Sequence, residues 1–228
     1  MRLKLISLLL FVVLLTFGQR NLKDVKADEI RGDMKTKGNF VSAVSYEDNL
    51  GINYIIQTET NLLTPKSAVE AAEKYELINV NGRVDTIRNI EANYRIKGLF
   101  VYHYVQNNDS VKLLWKNLDN MKDCSYENLT AEYLTKPLIT DKDNNGLAEV
   151  WLVYQLGCRE NKEIGLGMKL VMYQGDKSYT IRGIRQTKAE KSQEDSKDLV
   201  KADDSFKELS QTIRDYAMEL WNSYKIEP

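Results

Sequence analysis

Histidine, cysteine and proline are scarce in this chain of 228 residues, which has one histidine, two cysteines and three prolines. A structural zinc site usually takes four cysteine or histidine ligands, so a zinc centre built from these few side chains is not expected. The one histidine, His103, lies in a predicted strand, and a structural role is expected for it. A Ser–His–Asp catalytic arrangement stays open, although no nucleophile-elbow pattern accompanies it.

Neither sign of charge dominates the sequence. Lysine and arginine number 32, aspartate and glutamate number 33, and the formal net charge is −1. Nucleic-acid-binding domains present a strongly basic face, so a nucleic-acid partner is not expected. No glycine-rich phosphate loop is present, which leaves a nucleotide-sugar transferase of the usual kind without support.

The longest apolar run lies near the start of the sequence. A positively charged start precedes apolar residues 5–17, a run shorter than the roughly 20 residues that a membrane-spanning helix needs. This pattern is typical of a signal peptide over residues 1–18, and an uncleaved anchor is the alternative. Such a leader predicts a secreted or periplasmic location, with membrane contact only during export. The polar stretch 19–37 is predicted to be a disordered lead-in.

Residues 38–228 predict a single β-rich domain. Short runs of β-branched and aromatic residues alternate with turns that contain Asn, Asp and Gly, a pattern typical of antiparallel hairpins. The expected fold class is mainly β (α+β), as an antiparallel meander, a curved sheet or a sandwich packed by a C-terminal helix. The strands are expected at Phe40–Tyr46, Ile52–Thr58, Asn93–Val105, Val111–Trp115, Lys136–Thr140, Glu149–Gln155, Met168–Tyr173 and Lys177–Ile184.

A long helix is predicted at the end of this domain. Apolar residues recur at helical spacing over residues 205–224, and Ser205 with Glu208 has the sequence pattern of a capping box. The helix is therefore expected over this range, packed on one face of the sheet. A shorter helix is predicted over residues 64–75, and the charged segment 186–204 is predicted to be a solvated loop.

Residues 141–149, D-K-D-N-N-G-L-A-E, have the spacing of a cation-binding loop. Side-chain oxygens recur at every second position, and a glycine stands where such a loop must turn sharply. Calcium is the predicted ion, because it takes about 6–8 oxygen ligands from carboxylates, amides, backbone carbonyls and water. The expected ligands are Asp141, Asp143, Asn145, the backbone carbonyl of Leu147, and Glu149.

The loop departs from an EF-hand. Its twelfth position, where an EF-hand has a bidentate glutamate, is Leu152, and a strand rather than a helix is predicted to follow. An ordinary turn without an ion is the alternative, because Asp, Asn and Gly are all common in turns. The expected role of the ion is structural: it would fix the start of a central strand.

The two cysteines, Cys124 and Cys158, lie on either side of this loop in the sequence. In an oxidising compartment an even count predicts one disulfide, and two buried free thiols are the alternative. The bridge would enclose the cation loop, so we expect one region of the chain to be fixed both covalently and by the ion.

Several phrases of the sequence form a wider pattern. They include L-L-W-K around Trp115, the run from Ile139 to Tyr154, Cys158-Arg159, and K-S-Y-T-I-R-G from Lys177. Together they resemble a family of small exported bacterial proteins described as surface polysaccharide biosynthesis proteins. The resemblance covers the chain from Asn39 to its end and implies a link to cell-surface polysaccharide, without a defined chemistry. The family's C-R-G-D-V-S-P run reads C-R-E-N-K-E-I here.

We therefore expect a non-catalytic accessory or binding protein of the cell envelope, whose partner is a polysaccharide or another envelope protein. A hydrolase acting on envelope glycan is the alternative, although nothing in the sequence selects a carboxylate pair for it. Tyrosines in the predicted strands would stack on sugars if exposed, or would form core if buried. These tyrosines are Tyr46, Tyr54, Tyr102, Tyr104, Tyr154, Tyr173 and Tyr179.

Overall fold

A computed structural model describes residues 21–62, 94–125, 128–158, 166–187 and 200–227. The predicted signal peptide and the predicted helix over residues 64–75 lie outside these ranges, as does most of the predicted loop over residues 186–204. None of the helices in the described ranges combines the length and hydropathy that a bilayer crossing requires.

The first of two sheets has five strands, arranged in the order of the sequence. Each strand pairs antiparallel with its neighbour. The strands are β1 (Lys23–Asp24), β2 (Asn39–Asp48), β3 (Gly51–Glu59), β4 (Tyr94–Asn107) and β5 (Ser110–Ser125).

The second sheet is also antiparallel. Its strands are β6 (Leu129–Tyr133), β7 (Leu138–Thr140), β8 (Glu149–Cys158), β9 (Leu166–Gln174), β10 (Lys177–Arg185) and β11 (Lys201–Ala202). The order across the sheet is β11-β10-β9-β8-β6, and β7 pairs with the first half of β8. The predicted mainly β fold with antiparallel hairpins is confirmed.

Both faces of β8 are buried, because side chains alternate between two apolar clusters. Val150, Leu152 and Tyr154 point towards the first sheet, whereas Trp151 and Val153 point away from it. The cluster between the sheets, called the inner core here, also takes buried residues from the first sheet: Val44, Tyr46, Ile55, Leu99, Val101 and Trp115. The two sheets therefore form a sandwich, one of the predicted architectures.

An α-helix near the end of the chain, α1 (Gln211–Tyr224), covers the face of the second sheet that points away from the first. Its buried residues recur every three or four positions, as expected for an amphipathic helix. They are Ile213, Ala217, Leu220 and Trp221. The predicted packing of a C-terminal helix on one face of a sheet is confirmed.

The start of this helix differs from the prediction. Ser205 and Glu208 lie in a separate 3₁₀ helix, Asp204–Glu208. The residue that caps α1 is Ser210, whose hydroxyl accepts a hydrogen bond from the backbone N–H of Ile213 at 3.3 Å. The capping-box pattern is local, so it could not distinguish a short 3₁₀ turn from the first turn of the longer helix.

The predicted disordered lead-in also differs from the structure. From Asn21 onwards the segment follows the outer face of the first sheet, where β1 pairs with β2. Met34 is only 3% exposed, and the Tyr104 hydroxyl donates a hydrogen bond to the carbonyl of Lys35. A few apolar side chains in a polar segment are enough to attach it here, and the average composition hides them.

A disulfide between Cys124 and Cys158 joins β5 of the first sheet to β8 of the second, with a Cα–Cα distance of 5.5 Å. The predicted pairing is confirmed, and the bond indicates an oxidising, non-cytoplasmic location. The expectation that the disulfide and the cation loop together fix one region of the chain is corrected. Glu149 begins the ten-residue strand β8 and Cys158 ends it, so at about 3.3 Å per residue the loop and the disulfide lie about 30 Å apart.

Reduction of the disulfide is expected to lower the free energy of unfolding. The cysteines are separated by 34 residues, and closing a loop of this size contributes about 4 kcal/mol in the chain-entropy model. Urea unfolding of oxidised and reduced protein measures the difference. A variant with both Cys124→Ala and Cys158→Ala should have the same free energy of unfolding as the reduced protein, and reductant should not change it. Equal unfolding free energies of the oxidised and reduced protein would contradict this expectation.

Candidate metal centre

Three carboxylates converge in the loop between β7 and β8. One oxygen from each of Asp141, Asp143 and Glu149 lies within 4.8 Å of the others. Asp141 and Asp143 are half-buried, and Glu149 is fully buried at 0% exposure. The structure therefore brings together three of the five predicted ligands.

The Glu149 carboxylate accepts hydrogen bonds from residues at the start of the loop. The Thr140 hydroxyl donates a hydrogen bond to one carboxylate oxygen at 2.6 Å, and the backbone N–H of Lys142 lies 3.0 and 2.8 Å from the two oxygens. Burial raises the pKa of Glu149, and the charges of Asp143 and Asp141 act in the same direction, against these hydrogen bonds. The loop is thus ordered around a carboxylate that has two anionic neighbours.

The other two predicted ligands support the loop in a different way. The side-chain oxygen of Asn145 accepts a hydrogen bond from the backbone N–H of Leu147 at 2.7 Å. The amide nitrogen of Asn145 donates to Asp143 at 2.9 Å. The side chain of Asn145 therefore bonds within the loop and holds Asp143, and its role as a ligand stays a prediction. Leu147 takes part in this contact through its N–H.

Sequence reasoning missed Gln174, the last residue of β9. Its side-chain N–H groups donate to Asp143 at 3.1 Å and to Glu149 at 3.4 Å. Gln174 stands beside Glu149 because the two residues pair across β8 and β9. Only the register of these strands places an amide at the carboxylates, and no local pattern around Gln174 indicates it.

The donor set fits a hard divalent cation. Three carboxylates within 4.8 Å repel one another, and the hydrogen-bond donors described above are neutral amides and a hydroxyl, which offset this repulsion only in part. Ligands that are all oxygen atoms are better suited to calcium than to the softer metals, which favour cysteine or histidine.

The loop is attached to the first sheet through the turn between β2 and β3. The backbone N–H of Asn49 donates to the carbonyl of Gly146 at 3.0 Å, and the Asp48 carboxylate accepts from the backbone N–H of Ala148 at 3.0 Å. Gly146 has a φ of +88°, and a Cβ added there would lie 2.1 Å from the Asn49 side chain. A glycine is therefore required both by the backbone conformation and by the close approach of Asn49.

The same loop also contacts α1. The Lys142 ammonium lies 4.2 Å from the centroid of the Tyr216 ring, within cation–π distance. Tyr216 packs edge-to-face on Trp151 of β8, and the Trp151 indole donates to the Thr140 hydroxyl at 2.7 Å. Since Thr140 in turn donates to the Glu149 carboxylate, a short chain of contacts connects the carboxylates to the helix.

The histidine lies in the inner core, away from the three carboxylates. His103 is 2% exposed, and the rings of Tyr46 and Trp115 pack beside it. Its Nε2 atom lies 2.7 Å from the side-chain oxygen of Asn53, and burial lowers its pKa to about 3. The imidazole is neutral and enclosed, as expected for a structural residue.

The strand tyrosines do not build a sugar-stacking surface. Tyr54 is half-buried and packs against the cluster on the outer face of the first sheet. The other six tyrosines singled out in the sequence have relative exposures of 9% or less. They are Tyr46, Tyr102, Tyr104, Tyr154, Tyr173 and Tyr179.

No protein-family model, no curated protein and no solved structure matches this chain. The resemblance to surface polysaccharide biosynthesis proteins accordingly stays a hypothesis drawn from the sequence. Any assignment of function depends on the loop, the disulfide and the fold that joins them.

Gly146→Ala is expected to loosen the attachment of the loop to the first sheet. The cost should be about 1 kcal/mol for the left-handed backbone and about 1 kcal/mol or more for the displaced Asn49 side chain. Urea unfolding measures it. Gly175→Ala is the matched control, because Gly175 has a φ of +61° and a Cβ added there would meet no other atom within 4 Å.

Asn49→Ala separates the two contributions. In that background the side-chain clash is gone, so Gly146→Ala should cost little more than Gly175→Ala. Equal costs of Gly146→Ala with and without the Asn49 side chain would show that the close approach of the two residues does not matter for stability.

His103 is expected to make stability depend on pH. Its pKa is about 3 in the folded protein and 6.5 as the ordinary value, so below pH 6.5 the unfolded state takes up a proton that the native state does not. Stability is therefore lost as pH falls, by about 1.4 kcal/mol per pH unit. His103→Gln keeps a donor for Asn53 and does not titrate. Between pH 6 and 4 the free energy of unfolding of the wild type should fall relative to that of His103→Gln by about 1.4 kcal/mol per pH unit. Parallel pH profiles of the two proteins would contradict this prediction.

Proposed function

We propose that this chain is an exported, non-catalytic protein of the cell envelope, accessory to surface polysaccharide, whose sandwich is completed by a structural calcium ion. The observation that carries the proposal is the convergence of Asp141, Asp143 and Glu149. They lie in a loop that touches the first sheet, β9 and α1 at once. An ion bound there would act on the junction of all three parts.

The calcium would be held by the three carboxylates, with Gln174 and Asn145 orienting Asp143 through hydrogen bonds. Bound there, it would neutralise charges that the folded loop forces together. An ion that binds the native state and not the unfolded chain stabilises the fold by mass action. This role needs no exposed coordination position and no movement of the loop.

The disulfide supports the compartment named in the proposal, because such bonds persist in oxidising environments outside the cytoplasm. Calcium sites of extracellular modules commonly have dissociation constants on the order of 10⁻⁴–10⁻³ M. A site with three carboxylates and no bidentate glutamate at its twelfth position fits that range. The leader predicted from the sequence points to the same compartment.

The link to polysaccharide depends on the sequence resemblance, and the accessory role follows from what the described side chains offer. The strand tyrosines are packed in apolar clusters. A bound saccharide would therefore contact polar side chains on the surface. A hydrolytic role is less well supported. His103 is enclosed by aromatic rings, and Glu149 is buried against Thr140 and Lys142, so neither faces a substrate.

Millimolar calcium is expected to raise the melting temperature of the protein over that in EDTA. At 10 mM calcium and dissociation constants on the order of 10⁻⁴–10⁻³ M, the gain is about 1.4–2.7 kcal/mol. A variant with both Asp141→Asn and Asp143→Asn keeps the shape of these side chains and removes two charges. It should melt at the same temperature with and without calcium. Thermal unfolding followed by circular dichroism measures all four conditions.

Asp176→Asn is the matched control, since Asp176 lies in the exposed turn between β9 and β10. This variant should keep the full calcium response. An unchanged melting temperature of the wild type at 10 mM calcium would contradict the ion site. The same assay with isolated surface polysaccharide in place of calcium tests the accessory role separately, and the absence of any shift or calorimetric binding signal would count against it.

A further inference from the structure

The inner core contains a hydrogen-bond donor and a hydrogen-bond acceptor that have no partner within the described ranges. They are Nε1 of Trp115 and Nδ1 of His103. Both residues are more than nine-tenths buried, with relative exposures of 8% and 2%. Their ring centroids are 4.9 Å apart in an edge-to-face arrangement. Leaving such groups unpaired forfeits the hydrogen bonds that they make with water in the unfolded chain, so native interiors rarely do so.

The neighbouring asparagine fixes which nitrogen of the imidazole carries the proton. The Asn53 side-chain nitrogen lies 2.8 Å from an Asp48 carboxylate oxygen and 2.8 Å from the carbonyl of Gly51. Both atoms are acceptors, so this end of the amide is the NH₂ group. The other end, the oxygen, therefore accepts from Nε2–H of His103 at 2.7 Å. A neutral imidazole has one N–H, which makes Nδ1 a bare acceptor.

The indole of Trp115 has the complementary chemistry. Its Nε1–H is a donor only, and the ring is fixed in place by stacking on Tyr173, with the centroids 3.8 Å apart. The two rings are in contact, yet the donor and the acceptor do not bond to each other. A single small molecule that both accepts and donates a hydrogen bond would satisfy the two groups together.

We propose that the inner core holds one internal water molecule that accepts from Nε1–H of Trp115 and donates to Nδ1 of His103. Buried waters in proteins typically bridge polar groups in this way and make about three hydrogen bonds. The water completes a chain in which every donor points the same way, from Trp115 through His103 and Asn53 to the Asp48 carboxylate. Hydrogen bonds in such a directed chain polarise and strengthen one another.

The chain ends at the cation loop. Asp48 uses its second carboxylate oxygen to accept from the backbone N–H of Ala148 at 3.0 Å. The water site is thus connected, through three side chains, to the contact that attaches the loop to the first sheet. The proposal does not depend on a cation in that loop, because each of these hydrogen bonds is made by the protein alone.

The competing arrangement needs no water. In an edge-to-face pair the indole N–H can point into the face of the imidazole ring and form an N–H···π contact. In that case the indole proton would be shielded by the ring current of His103, and Nδ1 would lack any donor. The two arrangements predict different neighbours for one proton, so they can be distinguished directly.

Proton NMR of the wild-type protein tests the proposal. A cross-peak between the Trp115 indole proton and a long-lived water is expected, with the sign of a molecule that tumbles with the protein. A crystal structure should show density within about 2.7–3.2 Å of both nitrogens. In Trp115→Phe this density should disappear, while the contact of His103 with Asn53 remains. A shielded indole proton without a water cross-peak would overturn the proposal, as would a crystal without density between the rings.

Discussion

The attachment of the two sheets to each other at both ends of β8 is the constraint on which this structure depends. At the Cys158 end the attachment is covalent. At the Glu149 end it is polar, through Asp48 and Asn49, which bond to the backbone of the loop that leads into β8. Between the two ends the sheets are held by apolar burial, which is strong but non-directional, and by polar contacts such as those of Tyr154 and Lys169 with Asp119. The directional contacts, at both ends of β8 and between them, fix the orientation of the sheets.

The polar end is stable because its charges and amides are satisfied as a set. Asp48 accepts from the N–H of Leu50, the Asn53 side chain and the N–H of Ala148, so one carboxylate orders its own turn and the loop of the other sheet. Asn53, at 0% exposure, is tolerated in the interior because its amide is bonded at both ends. Removing a member of such a buried network leaves its neighbours unpaired, which costs more than the bond itself contributes.

Sequence patterns predicted what depends on local order. The β-branched and aromatic residues of Glu149–Gln155 predicted the strand β8; its position, with Leu152 in one apolar cluster and Trp151 in the other, is a finding of the structure. The spacing of Asp141, Asp143 and Glu149 likewise predicted their convergence. The contribution of Gln174 was not predictable, because it follows from the register of β8 with β9. The contact between the β2–β3 turn and the loop was not predictable either, since no local sequence pattern indicates which turn of the first sheet lies against the loop.

The position of the carboxylates explains why an ion there would act on the whole domain. The loop bonds to the first sheet through Gly146 and Ala148, and it reaches α1 through Lys142 and Tyr216. An ion that favours the ordered loop strengthens each of these contacts by as much free energy as that contact adds to the binding of the ion, because coupling between linked sites is reciprocal. Docking of the helix and of the β2–β3 turn should therefore raise the affinity for the ion, just as the ion tightens them. An exposed acidic turn without these contacts would bind an ion without any effect on the fold.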